Sequence, residues 1–140
     1  MGWWKRDKGG DPKHLQTGRW GEAVAEKALK QKGFEMLGRR VRVGVRDEID
    51  LIARDRDCLV FVEVKTRKSE TFGRPIESVN RAKRHTLSRA AIRYMMRLRE
   101  KPDYFRFDVV EVVGQDTDAH PVIRHIENAF TLDRAYKVPW

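Results

Sequence analysis

Cysteine is nearly missing from this chain of 140 residues, where Cys58 stands alone. No internal disulfide staples the fold, and no thiolate cluster is there to hold zinc. The four histidines, His14, His85, His120 and His125, lack the paired cysteines or the helical His partner of a zinc site, so surface and edge-strand positions are expected for them. No apolar run approaches the roughly 18 residues of a membrane span, and no apolar stretch near the start resembles a signal peptide. A soluble, cytoplasmic protein without membrane contact is expected. Met1-Gly2 opens like an acylation signal, but Arg6 stands where that pattern takes Ser or Thr. Internal repeats and low-complexity tracts are missing as well.

Acidic residues are the minority charge: 21 Asp and Glu face 30 Lys and Arg, for a net +9. A balance of that sign favours polyanionic partners, nucleic acid first. The apolar content of 40% is enough for one core, and the length suits one domain.

Residues 1–14 mix Gly9-Gly10, Pro12 and alternating charges without an apolar period, and read as a flexible basic tail. Trp3 and Trp4 within it can dock on the body or stack on bases. Over 17–32 the spacing predicts a helix with Trp20, Val24 and Ala28 on one stripe, Ala25 and Leu29 widening it, and Gly33 placed to stop it. Glu22 falls on the margin of that stripe, where it either points inward or pairs with Lys30 or Arg19. Residues 40–46 alternate strictly and predict a half-buried strand with one basic face. Residues 47–54 and 58–66 are rich in Ile, Val, Leu and Phe on both faces, as central strands of a covered sheet are. A polar loop over 67–78 leads to a helix over 80–99 with the stripe Leu87, Ala90, Ala91, Tyr94 and Leu98. A strand over 104–113, a turn over 114–121 and a short strand over 122–126 complete the pattern. The folded domain is expected to span 15–130, with 131–140 as a C-terminal tail.

Charged groups inside apolar strands require compensation. Asp50, Glu63 and Lys65 are such groups, and Glu63 and Lys65, two apart, share a face. If the two central strands form an antiparallel hairpin with Asp50 opposite Glu63, the turn centres on Arg56-Asp57 and the connection is even. An odd, unbulged loop instead sends Glu63 to the other face. In the even register Asp50 and Glu63 present oxygens to one point, as Mg²⁺ or Mn²⁺ requires, with Glu22 available to complete the shell. Lys65 would then lie beside the ion, placed to orient an attacking water and offset charge growing on a phosphorane. The competing reading is an internal ion pair between Lys65 and Asp50 or Glu63. Against it, Glu48, Asp50 and Glu63 outnumber Lys65 on that face, and a surplus of like charge calls for a cation.

These residues carry a resemblance. Gly21-Glu22-Ala23, Glu48-Ile49-Asp50-Leu51-Ile52, Phe61-Val62-Glu63-Val64-Lys65, Lys83 and Phe107-Asp108-Val109-Val110 together resemble the PD-(D/E)xK nuclease superfamily, and more closely the YraN-like bacterial family, similar to archaeal Holliday-junction resolvases. Ile49 stands where the superfamily pattern has proline, which donates no metal ligand. The resemblance implies an α/β, restriction-endonuclease-like fold, a mixed central sheet flanked by helices. It implies Asp50 and Glu63 as metal ligands, Lys65 as the catalytic lysine and Glu22 as an auxiliary acid, with Mg²⁺ or Mn²⁺ as cofactor. DNA, branched DNA in particular, is then the expected substrate ahead of RNA, and a twofold dimer the expected form of a resolvase.

Between residues 79 and 101 eight basic residues face Glu100 alone. Arg81, Lys83, Arg84, Arg89, Arg93 and Arg97 belong to this run, and Arg40 and Arg42 to a second basic stretch; all eight are candidate phosphate contacts. Like charges four apart destabilise a helix by a few tenths of a kcal/mol per pair, which a phosphate backbone relieves and counter-ions relieve less specifically. The function read from the sequence is metal-assisted hydrolysis of DNA phosphodiesters. The alternatives are a non-catalytic nucleic-acid-binding module and a partner for other DNA-processing proteins, each keeping the fold.

Overall fold

The computed structural model describes residues 12–140, so Trp3, Trp4 and most of the expected basic tail lie outside the described residues. The elements are α1 (Pro12–Gln31), β1 (Glu35–Val43), β2 (Asp47–Asp55), β3 (Cys58–Arg67), a 3-10 turn (Pro75–Ser78), α2 (Arg81–Met96), β4 (Tyr104–Val113) and β5 (Val122–Phe130). The strands form one mixed sheet in the order β1-β2-β3-β4-β5, with β3 and β4 parallel and the other neighbours antiparallel. The α/β class is therefore as expected, and a five-stranded mixed sheet between two helices is compatible with a restriction-endonuclease-like fold.

α1 starts at Pro12, so the expected tail gives way to helix before residue 14, and proline suits a first turn because its missing N–H had no helical partner anyway. The helix stops where the spacing places the stop: Gly33 adopts φ 95°, and the Phe34 N–H bonds back to the Leu29 carbonyl at 3.1 Å. Ala25 and Leu29 join Leu51, Ala53, Val60, Val62, Val64, Val110 and Val112 in one buried layer. Gly21 brings α1 against the end of β3, since a Cβ there would clash with Thr66 Oγ1.

On the opposite face α2 covers the sheet. Asn80 caps it, accepting the Lys83 N–H at 3.0 Å, and Leu87, Ala90, Ala91, Ile92 and Met95 pack on Ile52, Leu59, Phe61, Phe107 and Val109. The helix ends at Met96, three residues short of the expectation, yet Leu98 still packs on this core. The C-terminal segment is not a detached tail: Leu132, Tyr136 and Val138 pack on the same core, and the Asp133 N–H bonds to buried Ser88 Oγ at 3.0 Å.

The strictly alternating strand over 40–46 is not what forms. β1 ends at Val43, Gly44 adopts φ 70° and Val45 is 90% exposed in the turn. Alternation also fails at Arg40, whose φ is 44°. On one side of it Arg39, opposite Leu51, reaches Glu26 of α1; on the other, Val41, opposite Ile49, joins the core beneath α2. Both strands turn over at the intervening positions, Arg40 and Asp50.

Candidate active site

The hairpin between β2 and β3 has the even, two-residue connection Arg56-Asp57, with Arg56 at φ 60°, and pairs Leu51 with Val62 and Ile52 with Phe61. This is the register that sets Asp50 opposite Glu63. The β2–β3 ladder nevertheless ends at Leu51–Val62, although both strands continue: β2 stays with β1 down to Asp47, and β3 stays with β4 up to Arg67. The sheet forks here. The Val64 N–H, which the ladder no longer serves, is accepted by Asp50 Oδ2 at 2.9 Å. Asp50 therefore points toward β3 across the fork, because the strand turns over at that residue.

Glu63 stands on the other arm, 3% exposed. Its Oε2 takes Lys65 Nζ at 3.1 Å and Lys83 Nζ at 3.3 Å, whereas its Oε1 is buried without a hydrogen-bond partner among the described residues. Burial, and then the Glu63 carboxylate within hydrogen-bonding reach, push the Asp50 carboxyl well above its ordinary value. Burial opposes the charge of Lys83, but Glu63, Asp50 and Asp47 outweigh it and hold its pKa above the usual lysine value. From the α1 side, Glu22 is raised by burial, while Arg40, bonded to it at 2.7 Å, pulls the other way.

The acid surplus expected at this face is corrected by the geometry. Glu48 is exposed, and Lys83, expected on the phosphate-binding row, joins Lys65 at Glu63. Glu22 pairs with Arg40 rather than with Lys30 or Arg19. Among the described residues no group of three or more His, Cys, Asp or Glu side chains stands ready to hold a metal ion. The converging donors are two, Asp50 and Glu63. That number fits Mg²⁺, which keeps several of its waters and takes one or two carboxylates with substrate phosphate. The partnerless Oε1 of Glu63 and the resistance of Asp50 to ionising beside a second carboxyl are what a hard cation at this place would relieve. The donor set fits the ion.

Lys83 had a legible signal. The first turn of α2 holds no acidic residue but holds Arg81, Lys83 and Arg84, against the preference of a helix N-terminus for negative charge. Lys83 has Glu63 and Asp50 to face.

The basic residues divide. Arg89 is corrected from a phosphate contact to a structural one: Nε and Nη2 both bond Asp47, each at 2.8 Å, and its side chain is 19% exposed. Arg42, Arg81, Arg84, Arg93 and Arg97 are exposed; Arg81 and Arg84 line an open groove of about 670 Å³ with residues 128–134. Arg40 is exposed but engaged by Glu22.

No helix among the described residues is long and apolar enough to cross a membrane. Residues 21–112, which contain the fork and both lysines, match an uncharacterised protein family, UPF0102. UPF0102 proteins of Clostridium tetani and Symbiobacterium thermophilum are similar to it. They are 42% and 44% identical over 119 and 115 residues, covering 84% and 82% of this chain and 95% and 96% of theirs. One from Desulfosudis oleivorans is 40% identical over 86% of this chain and 94% of its own length. With a match over most of its length, the chain belongs to the uncharacterised protein family UPF0102, the YraN-like family its motifs resemble.

Proposed function

We propose that this protein is a metal-dependent endonuclease that hydrolyses DNA phosphodiesters at the fork between β2 and β3. The observation that carries the reading is the meeting of Asp50 and Glu63 across the fork, with one buried oxygen unpartnered and two lysines alongside. Asp50 and Glu63 would hold Mg²⁺ or Mn²⁺. When bound, the ion supplies Lewis-acid polarisation of a phosphoryl oxygen and lowers the pKa of water. Lys65 and Lys83 supply positive charge that requires no reorganisation as negative charge grows on the phosphorane, and Lys65 orients the attacking water. Glu22, released from Arg40, serves as an auxiliary acid at the rim. Exposed Arg42, Arg81, Arg84, Arg93 and Arg97 supply sequence-independent phosphate contacts. A preference for branched DNA and a twofold dimer rest on the resemblance to resolvases.

One observation favours a second reading, a nucleic-acid-binding module without catalysis: Glu63 Oε2 already engages both lysines, so the site is close to charge balance by itself. A cleavage assay on linear, flapped and four-way DNA with Mg²⁺ or Mn²⁺, joined to titration calorimetry of the ion, separates the two. Asp50→Ala and Glu63→Ala are each expected to abolish cutting and leave DNA binding largely intact, and Lys65→Ala to impair cutting with the ion still bound. Wild-type protein that binds neither ion and cuts none of the substrates refutes the nuclease reading and leaves the binding module.

A further inference from the structure

Phe72 is 101% exposed, so this phenyl ring touches nothing among the described residues. Leaving so large an apolar surface in water is unfavourable, and a ring on a floppy loop would collapse onto the nearest apolar surface. This loop is tied at both ends by hydrogen bonds. The Gly73 N–H closes a four-residue turn on the Glu70 carbonyl at 3.1 Å, with Phe72 at the turn's third position and Gly73 at φ 112°. Arg124 grips Glu70 at one end of the turn, with one bond of 2.8 Å. At the other end, fully buried Glu111 accepts from Arg74 Nη2 at 2.7 Å and from the Ile76 N–H at 2.8 Å, while the Arg74 N–H bonds Glu77 Oε2 at 3.0 Å. Glu111 is the β4 neighbour of Lys65, so the loop is anchored beside the proposed catalytic lysine.

The loop that carries the ring holds charges of both signs, with the Glu77 carboxylate lying against Gly73. Glu70 is neutralised by Arg124, whereas exposed Arg67 and Lys68 have no carboxylate partner among the described residues. A solvent-presented aromatic on a tethered turn, in the same loop as exposed Arg67 and Lys68, is a combination that binds nucleotides: cations take the phosphates and the ring takes the flat face of a base. Paired bases inside a continuous duplex have no free face. The recognised element must be an unstacked base at a branch, a flap or a single strand.

We infer that Phe72 is a base-stacking residue that selects DNA with unstacked bases, delivering such sites to the fork beside Lys65. The inference rests on the nucleic-acid reading above and supplies a source of structure selectivity that lies in this chain's own loop.

The test uses the full chain with EDTA present, so that binding is read without cutting. Anisotropy titrations are made against a continuous duplex, a single strand and a four-way junction, with 2-aminopurine at a branch-point base of the junction as a second reporter. Phe72→Ala is expected to weaken single-strand and junction binding about tenfold, to change duplex binding less than twofold, and to abolish the 2-aminopurine response, which Phe72→Trp retains. Its melting temperature should equal the wild type's, since the ring packs on nothing. Equal binding of all three DNAs by Phe72→Ala and wild type, or an equal loss on all three, overturns the stacking role and leaves the nuclease reading standing. Wild-type protein that binds none of them overturns the stacking role, while the nuclease reading stands or falls by the cleavage assay with Mg²⁺ or Mn²⁺.

Discussion

Asp50 is under two conflicting demands: its Oδ2 completes the backbone hydrogen bonding of β3, while burial and Glu63 disfavour its charge. Its folded-state pKa lies above the ordinary 3.8, so the folded protein binds this proton more tightly than the unfolded chain does. In metal-free buffer the raised pKa of Asp50 therefore costs the folded state stability as pH rises above the ordinary value. The penalty disappears below the ordinary value, where both states are protonated. Asp50→Asn keeps an oxygen for the Val64 N–H and removes the charge. It is expected to raise the urea midpoint at pH 7 in EDTA, with the gain shrinking to nothing as pH falls toward about 4. A lower midpoint at pH 7 would mean that the lysines more than offset the charge and that no stability is sacrificed for the site.

At the scale of the element, α2 carries basic residues in two environments that identical side chains conceal. Arg89 turns inward to Asp47, which is 2% exposed, so Arg89→Ala leaves a buried carboxylate unpaired. A loss of roughly 3 kcal/mol of stability is expected, measured by denaturant unfolding. Arg93 and Arg97 face solvent, and replacing both with alanine should leave unfolding unchanged. It should also flatten the slope of log K against log salt by about 0.9 per residue on duplex DNA. An unchanged salt slope in the folded double variant would make this row a solvated face. The strand pair around the site was legible because Ile, Val, Leu and Phe on both faces over 47–54 and 58–66 require cover from two sides. The strand drawn over 40–46 was not, because period two cannot report a residue with positive φ. The turnover at Arg40 depends on which side each neighbouring core occupies.

For the molecule as a whole, carboxylates beyond the fork set the response to acid. Glu26 is held down to about 2 by hydrogen bonds from Arg39 and Lys30. Glu111 and Asp108 also lie below their ordinary values: burial opposes ionisation, but their hydrogen bonds, from Arg74 and from His125 and Arg106 respectively, prevail. Depressed pKa values contribute stability that is complete above the ordinary carboxylate range and is lost as pH falls through the folded-state values. In the Asp50→Asn variant, which lacks the opposite trend of Asp50, stability should hold down to about pH 5 and be lost progressively from about 4.5 toward about 2. Growing repulsion on a chain already at +9 would steepen the fall. Urea midpoints of this variant between pH 7 and 2 test this, and a midpoint flat to pH 3 would count against it.

The sequence by itself determined which segments are buried on both sides, where α1 stops, and that Asp50 and Glu63 meet if the connection is even. These follow from side-chain period, a glycine at a helix end and the parity of a hairpin, all of which are local. Only the tertiary structure decided that the β2–β3 ladder opens at Asp50, that Lys83 reaches Glu63 while Arg89 turns to Asp47, and that the turn around Phe72 is clamped by Glu111 and Arg124. Each of these depends on which residue, tens of positions away, arrives at a given charge. A pattern of types along a chain does not carry that information, because neighbouring arginines and lysines are alike until packing supplies their partners.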